Sequence, residues 1–222
     1  MNYNDVTICI PTLNEEDSIK TVVSQFKSKG FSNILVIDGD SSDNTRAYAK
    51  DAGATVKIQK SSGNKGSAMR EVIDYINTSI IVFVDGDQTY NADDINRLVD
   101  PIIEDDYEHV IASRFGEMEQ GSMSKLHVFG NKILNTIFTL LYQKNVYDLL
   151  TGYRAMKTDS FKDLELNSNG FDIETELTAK SILKNQNIKI IQSSYYKREG
   201  ESELNSFSDG FKILTRMIKT RI

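Results

Sequence analysis

The apolar run Ile80-Ile81-Val82-Phe83-Val84 ends abruptly in Asp85-Gly86-Asp87. Two carboxylates one residue apart, with no basic side chain beside them in sequence, repel each other and need a cation. A divalent ion, Mg²⁺ or Mn²⁺, is the simplest one, because Mg²⁺ is commonly held by one or two carboxylates together with the phosphates of a substrate. The spacing therefore points to metal–phosphate chemistry with Asp85 and Asp87 as ligands. The plain alternative is a polar turn that closes a strand, since Asp and Gly are favoured turn residues. The run that precedes the acids supports the first reading. A continuous β-branched strand suits burial on both faces of a parallel sheet. In open α/β sheets, ligands gather beyond the carboxyl ends of the strands.

Two more polar clusters follow predicted strands. Val6–Ile10 reads as a strand stopped by Pro11, and Pro11–Glu15 follows it. Asn14 is the expected N-cap of an amphipathic helix through Ile19, Val22, Val23 and Phe26, with Glu15, Glu16 and Asp17 in its first turn. Asn33–Ile37 is a second strand, ending in Asp38-Gly39-Asp40-Ser41-Ser42-Asp43. A short helix leads to a third strand, Ala54–Gln59, then a loop with Gly63, Asn64, Lys65 and Gly66 and a helix carrying Arg70. Asn91 caps a helix with Ile95, Leu98, Val99, Ile102 and Ile103 on its core face, and His109–Ser113 is a fifth strand. Strands alternating with helices argue a doubly wound, mostly parallel sheet flanked by helices. Its carboxyl edge brings the clusters at Pro11–Glu15, Asp38–Asp43 and Asp85–Asp87 together.

Each candidate has a simpler reading beside the functional one. Asp38 suits a hydrogen bond from a base N–H or a ribose hydroxyl, and equally a turn. Glu15 favours a helix start whatever else it does. Lys65 can reach a base or phosphate, or simply be solvated. Arg70 suits a pair with a neighbouring acid.

The second half of the chain is mainly helical in pattern. Leu126–Tyr142 carries Leu126, Phe129, Ile133, Ile137, Leu140 and Leu141 on one face, which Val128, Leu134 and Phe138 widen, and Phe171–Leu183 is a further helix. Ile188–Gln192 is a strand, and Phe207–Ile222 is a helix with Phe207, Phe211, Leu214 and Ile218 on one face and a basic end.

At 222 residues the chain is long enough to bury a sizeable core. A net charge of −6 argues against general nucleic-acid binding. The one cysteine, Cys9, cannot form an internal disulfide, which fits a reducing compartment. No stretch reaches the ~18 apolar residues of a membrane span, and the start lacks a signal-peptide pattern.

Taken together, Pro11-Thr12-Leu13-Asn14-Glu15, then Asp38 with Ser41-Ser42-Asp43-Asn44-Thr45, then Asp85-Gly86-Asp87 resemble the family 2 glycosyltransferases of the GT-A fold. Ala112-Ser113-Arg114-Phe115, Asp148-Leu149-Leu150-Thr151-Gly152-Tyr153-Arg154, Gly170-Phe171-Asp172-Ile173-Glu174-Thr175-Glu176-Leu177 and Arg198-Glu199-Gly200-Glu201-Ser202 are similar to the dolichol-phosphate mannosyltransferase branch. The resemblance covers nearly the whole chain in family order. It implies one GT-A domain over 1–222, with a nucleotide-sugar half at 1–113 and an acceptor half at 114–222. It implies inverting, metal-dependent transfer from GDP-mannose or a UDP-sugar to a polyprenyl (dolichyl-type) phosphate. The metal would lie at Asp85 and Asp87. The nucleotide would lie over Pro11, Leu13, Asn14, Glu15, Asp38, Lys65, Asp85 and Gly86. Asp87, Arg114 and Arg198 would carry catalysis, and Arg114, Arg154, Arg198 and Ser202 would hold the acceptor phosphate. Three positions depart from the pattern: Gly39 where a second acid is common, Thr89 where glutamine is frequent, and Glu203 where lysine is common.

A phosphate monoester has a second pKa near ~6, so it is largely dianionic at neutral pH and already nucleophilic. It needs cations more than a base, and arginine grips phosphate with a planar fork. Asp148, Glu174 and Glu176 are candidate bases if the acceptor is a hydroxyl, and otherwise orient the arginines or contact the sugar. A transferase acting on a sugar hydroxyl is therefore the first alternative. A catalytically weak nucleotide-sugar-binding subunit is the second, favoured by Glu203. A nucleotidyltransferase is disfavoured, because no glycine- and arginine-rich loop follows the first strand. The lipid acceptor implies a peripheral position on the cytoplasmic face of a membrane. Leu126–Tyr142 and Phe207–Ile222 are the candidate contacts, and packing on the sheet is their ordinary alternative. A membrane subunit, or membrane helices beyond Ile222, would serve the same end.

Overall fold

The computed structural model describes residues 3–61, 64–198 and 206–222. A seven-stranded mixed sheet runs in the order β3-β2-β1-β4-β6-β5-β7. Strands β1 (Val6–Thr12), β2 (Asn33–Asp38), β3 (Thr55–Ile58) and β4 (Ile80–Phe83) pair in parallel. Strand β5 (His109–Met118) pairs in parallel with β7 (Ile188–Tyr195). Between β4 and β5 lies β6 (Arg154–Lys157), antiparallel to both.

Alternation along the strands divides the core into two layers. Ile8, Ile10 and Val82 pack with Ile19, Val23 and Phe26 of α1 (Ile19–Ser28) and Leu98 and Val99 of α4 (Ile95–Glu104). Cys9, Ile81 and Phe83 face the other way, onto Met69 of α3 (Lys65–Glu71), Phe161 of α6 (Thr158–Asp163) and Leu177 of α7 (Ile173–Leu183). The remaining helices are α2 (Thr45–Asp51), α5 (Lys125–Tyr142) and α8 (Ser206–Arg221). Phe138, Tyr142, Ile213 and Met217 join α5 and α8 in a third cluster.

Four sequence expectations change. First, β1 continues through Pro11 to Thr12 instead of stopping at the proline. The Cys9 carbonyl accepts from Val84 N–H on the β4 side, and the Thr12 carbonyl accepts from Gly39 N–H on the β2 side. By alternation Pro11 faces the β4 side, where pairing has already ended at Phe83, so its missing N–H costs no ladder bond. Second, Asn14 is not a helix cap: its φ is 53°, and α1 starts five residues later, after Ser18. Third, β6 was not anticipated. Fourth, the helix faces differ from the predicted stripes. In α8 the buried side carries Ile213 and Met217, while Phe211 is 71% exposed; in α5 the wide predicted face is buried at Phe138, while Phe129 and Leu140 are 62% and 75% exposed.

Candidate active site

The ends of β1 and β4, the start of α3 and the segment after β7 surround one cavity of about 230 Å³. Of the predicted residues, Pro11, Leu13, Glu15, Lys65, Asp85, Gly86, Asp87, Arg114, Glu174 and Arg198 line it. The loop after β4 is pinned by Ser18 Oγ, which donates to the Gly86 carbonyl at 2.7 Å. Thr89 donates twice to Asp87 Oδ1, from its N–H at 3.2 Å and its hydroxyl at 2.7 Å. At the position where glutamine is frequent, this chain thus has a cap for Asp87.

Opposite charges alternate across the cavity. Lys65 Nζ lies 2.5 Å from Asp85 Oδ1 and 2.7 Å from Glu174 Oε1. Arg198 donates to Asp87 Oδ2 at 3.0 Å and to Glu15 Oε1 at 2.5 Å. Four carboxyl groups meet two cations. Burial pushes the Glu15 carboxyl up to about 7, against the pull of Arg198 and with help from Asp87. Burial, then the neighbouring Asp85, raises Asp87 as well. Burial alone would lower Lys65, but Asp85 and Glu174 outweigh it and hold the ammonium charged.

Arg114 leaves the sheet at an irregularity, where the β5–β7 pairing breaks after Ser113 and resumes at Glu117. Such bulges re-aim side chains at the rim of a sheet. Its Nε and Nη2 grip both oxygens of buried Asp148 at 2.7 Å each, and its guanidinium lies 5.3 Å from the Tyr195 ring centroid. Burial works against the charge, but Asp148 more than compensates and keeps Arg114 protonated.

Several predicted residues do not face the cavity. Asp38 is wholly buried, and its carboxylate takes the Ser41 N–H and hydroxyl at 2.9 and 2.6 Å, so it ties the β2 loop, while Gly39 lines the wall. Asn14 joins the β1 and β2 loops: its side-chain oxygen accepts from Ser42 N–H at 2.9 Å, and its N–H donates to Ser41 Oγ at 2.9 Å. Arg154 is fully buried. Its guanidinium donates to the carbonyls of Thr151 and Leu149 and to Thr178 Oγ1, the geometry of a core brace, not a phosphate grip. Glu176 accepts the N–H groups of Asn167 and Ser168 and pairs with Lys180, so it fixes a loop. Arg70 is bonded to Asn169. Gly63, Ser202 and Glu203 lie outside the described residues.

Sequence reasoning missed Gln59 and Tyr195, which also line the cavity. Both stand at the carboxyl ends of strands, β3 and β7, so the edge rule that selected Asp85 would have found them. Among the described residues no group of three or more His, Cys, Asp or Glu side chains is placed to hold a metal. Two hard carboxylate ligands beside an anion-sized cavity still fit a divalent ion that completes its shell with phosphate oxygens and water.

The pattern of the Glycosyl transferase family 2 matches residues 7–165. The chain is similar to glycosyltransferase AglJ of Haloferax volcanii, with 42% identity over 90% of this chain; it spans 66% of the length of that relative. It is also similar to a dolichyl-phosphate hexose transferase of Haloferax volcanii, 27% identical, covering 98% of this chain and 94% of the relative. The fold matches a Mycobacterium tuberculosis glucosyl-3-phosphoglycerate synthase crystallised with Mn²⁺, uridine diphosphate and phosphoglyceric acid. The TM-score is 0.80 at 17% identity, over 97% of this chain and 78% of that one.

Proposed function

The chain belongs to glycosyl transferase family 2, and from that premise we propose that it transfers a sugar from a nucleotide sugar to a polyprenyl phosphate with inversion at the anomeric carbon. The donor is GDP-mannose or a UDP-sugar. Residues 1–113 hold it, and 114–222 present the acceptor.

One observation favours a phosphate acceptor over a sugar hydroxyl. Every carboxylate considered as a base is already engaged: Asp148 by Arg114, Glu174 by Lys65, Glu176 by backbone N–H groups and Lys180. A hydroxyl acceptor requires a free base; a phosphate dianion does not. Arg114 and Arg198 border the same cavity as the two aspartates and supply the cationic grip, Arg114 on the acceptor phosphate and Arg198 shared between it and the leaving diphosphate. An acceptor phosphate oxygen bonds to the anomeric carbon as the bond to the β-phosphate oxygen breaks, and the electron pair leaves with the nucleoside diphosphate. Asp85 and Asp87 would hold a Mg²⁺ or Mn²⁺ ion, which when bound supplies Lewis-acid neutralisation of the leaving group. Lys65 would meet the diphosphate, and Thr89 would keep Asp87 oriented.

The lipid acceptor also accounts for apolar side chains left in solvent. Leu126, Phe129 and Leu140 of α5 and Phe211 of α8 are exposed, and α8 ends in Lys219 and Arg221. An apolar face beside basic residues suits the surface of an anionic membrane, here the cytoplasmic face. A membrane subunit or further chain beyond 222 would extend that contact. No described helix is long and apolar enough to cross a membrane. The relative that acts on dolichyl phosphate supports the acceptor class.

The test is a turnover screen of nucleotide sugars with a short-chain polyprenyl phosphate, with and without Mn²⁺ or Mg²⁺. An acid-labile sugar phosphodiester formed only with metal is the expected product. Transfer only to sugar hydroxyls would overturn the acceptor, and binding without turnover would favour the subunit reading.

A further inference from the structure

Each aspartate of the Asp85-Gly86-Asp87 turn already carries a cation from the protein. Asp85 faces the ammonium of Lys65 at 2.5 Å, and Asp87 faces the guanidinium of Arg198 at 3.0 Å. The two cations come from distant parts of the chain, the start of α3 and the segment after β7. Each is shared with a second acid, buried Glu174 for Lys65 and half-buried Glu15 for Arg198. Arg198 Nε is itself buried and has no hydrogen-bond partner among the described residues, so the guanidinium holds one donor in reserve.

We propose that Lys65 and Arg198 are stand-in cations: they occupy the metal-binding faces of Asp85 and Asp87 until a nucleoside diphosphate draws them away, so that metal binding is conditional on the nucleotide. A bare divalent ion must displace an ion pair at each aspartate. A diphosphate changes that balance, because its oxygens accept from the same ammonium and guanidinium. Once both cations turn to phosphate, Lys65 keeping its pair with Glu174, the aspartates are left to the metal. Lys65 and Arg198 thereby weaken metal binding on its own and strengthen it in the presence of the nucleotide. Linkage makes the effect reciprocal: the ion raises nucleotide affinity by the same factor. The inference rests on the donor-site reading above, and it adds that the site selects the metal–nucleotide pair over either part.

The experiment is Mn²⁺ binding to the full chain followed by electron paramagnetic resonance, without nucleotide and with saturating UDP or GDP. The proteins are the wild type, Arg198→Gln, Lys65→Met and, as a control, Arg46→Gln, whose guanidinium pairs with Asp40 at 2.9 Å and Asp38 at 3.7 Å and not with the aspartate turn. The two site variants should bind bare Mn²⁺ about fivefold or more tighter than the wild type, while nucleotide strengthens their Mn²⁺ binding less, within the usual range of coupling factors. The control should move bare Mn²⁺ affinity by less than about twofold, since its charge is solvent-screened. Bare Mn²⁺ affinity that is unchanged or lowered in both site variants overturns the inference, as does an equal gain in the control. Circular dichroism verifies that each variant is folded. If neither UDP nor GDP binds the wild type with Mn²⁺, the donor-site reading fails, and the bare-metal titration still decides the stand-in role separately.

Discussion

Gly152 lies against the carboxylate of Asp85, so close that a Cβ built on it would meet both oxygens, Oδ1 at 2.7 Å. The turn after Leu150 therefore forms the floor on which the aspartate rests. Gly152→Ala should leave the sheet intact and push Asp85 out of position. Metal-dependent nucleotide binding is expected to fall about tenfold or more, worth about 1.4 kcal/mol. Calorimetric titration of UDP and GDP with Mn²⁺, beside a circular dichroism spectrum, measures it. Wild-type binding by the alanine variant would show that Asp85 is not held from this side.

Arg154 should matter to the fold and not to the acceptor. Its guanidinium satisfies the carbonyls of Thr151 and Leu149 and the Thr178 hydroxyl in a region fully shielded from water. Arg154→Met removes the donors and leaves the Thr151 and Leu149 carbonyls buried and unmet, while the Thr178 hydroxyl keeps its bond to the Glu174 carbonyl, at about 1–3 kcal/mol for each group left unmet. A loss of roughly 3 kcal/mol in urea unfolding is expected. An unchanged unfolding midpoint with a raised KM for the lipid phosphate would instead return Arg154 to the acceptor site.

The contrast between Arg154 and Arg114 shows what sequence conveys here. The strand-then-acid pattern at Ile80–Asp87 and the convergence of three polar clusters were legible, because a buried parallel strand leaves a strong apolar signature and its carboxyl end has a known use. The direction in which a side chain leaves the rim was not. Asp38 and Asp85 both follow apolar strands, yet one ties its own loop and the other faces the cavity. That difference arises from Ser41 and Thr12 on one side and from Gly152 on the other, contacts fixed only by the assembled loops. The antiparallel β6 was missed because Arg154-Ala155-Met156-Lys157 is short and begins and ends in basic residues. The buried face of α8 is turned from the apolar stripe and that of α5 is narrower than it, because these helices carry apolar residues on more than one side.

Glu15 gives the protein without metal a definite pH dependence. Its carboxyl titrates near 7 when folded and near ~4.3 when unfolded, so the folded state holds the proton more tightly. Stability from this group is complete below the unfolded value, declines as pH rises through the interval, and is gone above the folded value. Glu15→Gln cannot ionise and should lose none of it. The melting temperature of the variant relative to the wild type should therefore climb between about pH 4.3 and 7 and level off above. A flat difference across that interval would mean that Arg198 keeps Glu15 ionised throughout.

Asp87 should be indispensable to turnover and expendable to folding. It touches Thr89 and Arg198 at the rim and contributes nothing to the apolar layers. Asp87→Ala should remove metal-dependent transfer, a fall of at least about a thousandfold if the ion supplies several kcal/mol to the leaving diphosphate. Glycosyl transfer assayed across a Mn²⁺ series tests this, and full activity in the variant would place the metal elsewhere.

The exposed face of α5 offers a change that leaves the active site alone. Phe129 is 62% and Leu140 75% exposed, so neither supports the core on which α5 rests, which is formed by Phe138 and Tyr142. If these side chains enter a lipid surface, each contributes up to about 1.5–3 kcal/mol of apolar burial there. Phe129→Ser with Leu140→Ser should then lower the fraction that floats with anionic liposomes at least tenfold. Transfer to a short-chain, water-soluble acceptor should be unaffected, because the cavity is lined by other elements. A double variant that still floats like the wild type would show that α5 does not meet the membrane and would shift the contact to α8, where Phe211→Ser provides the corresponding measurement.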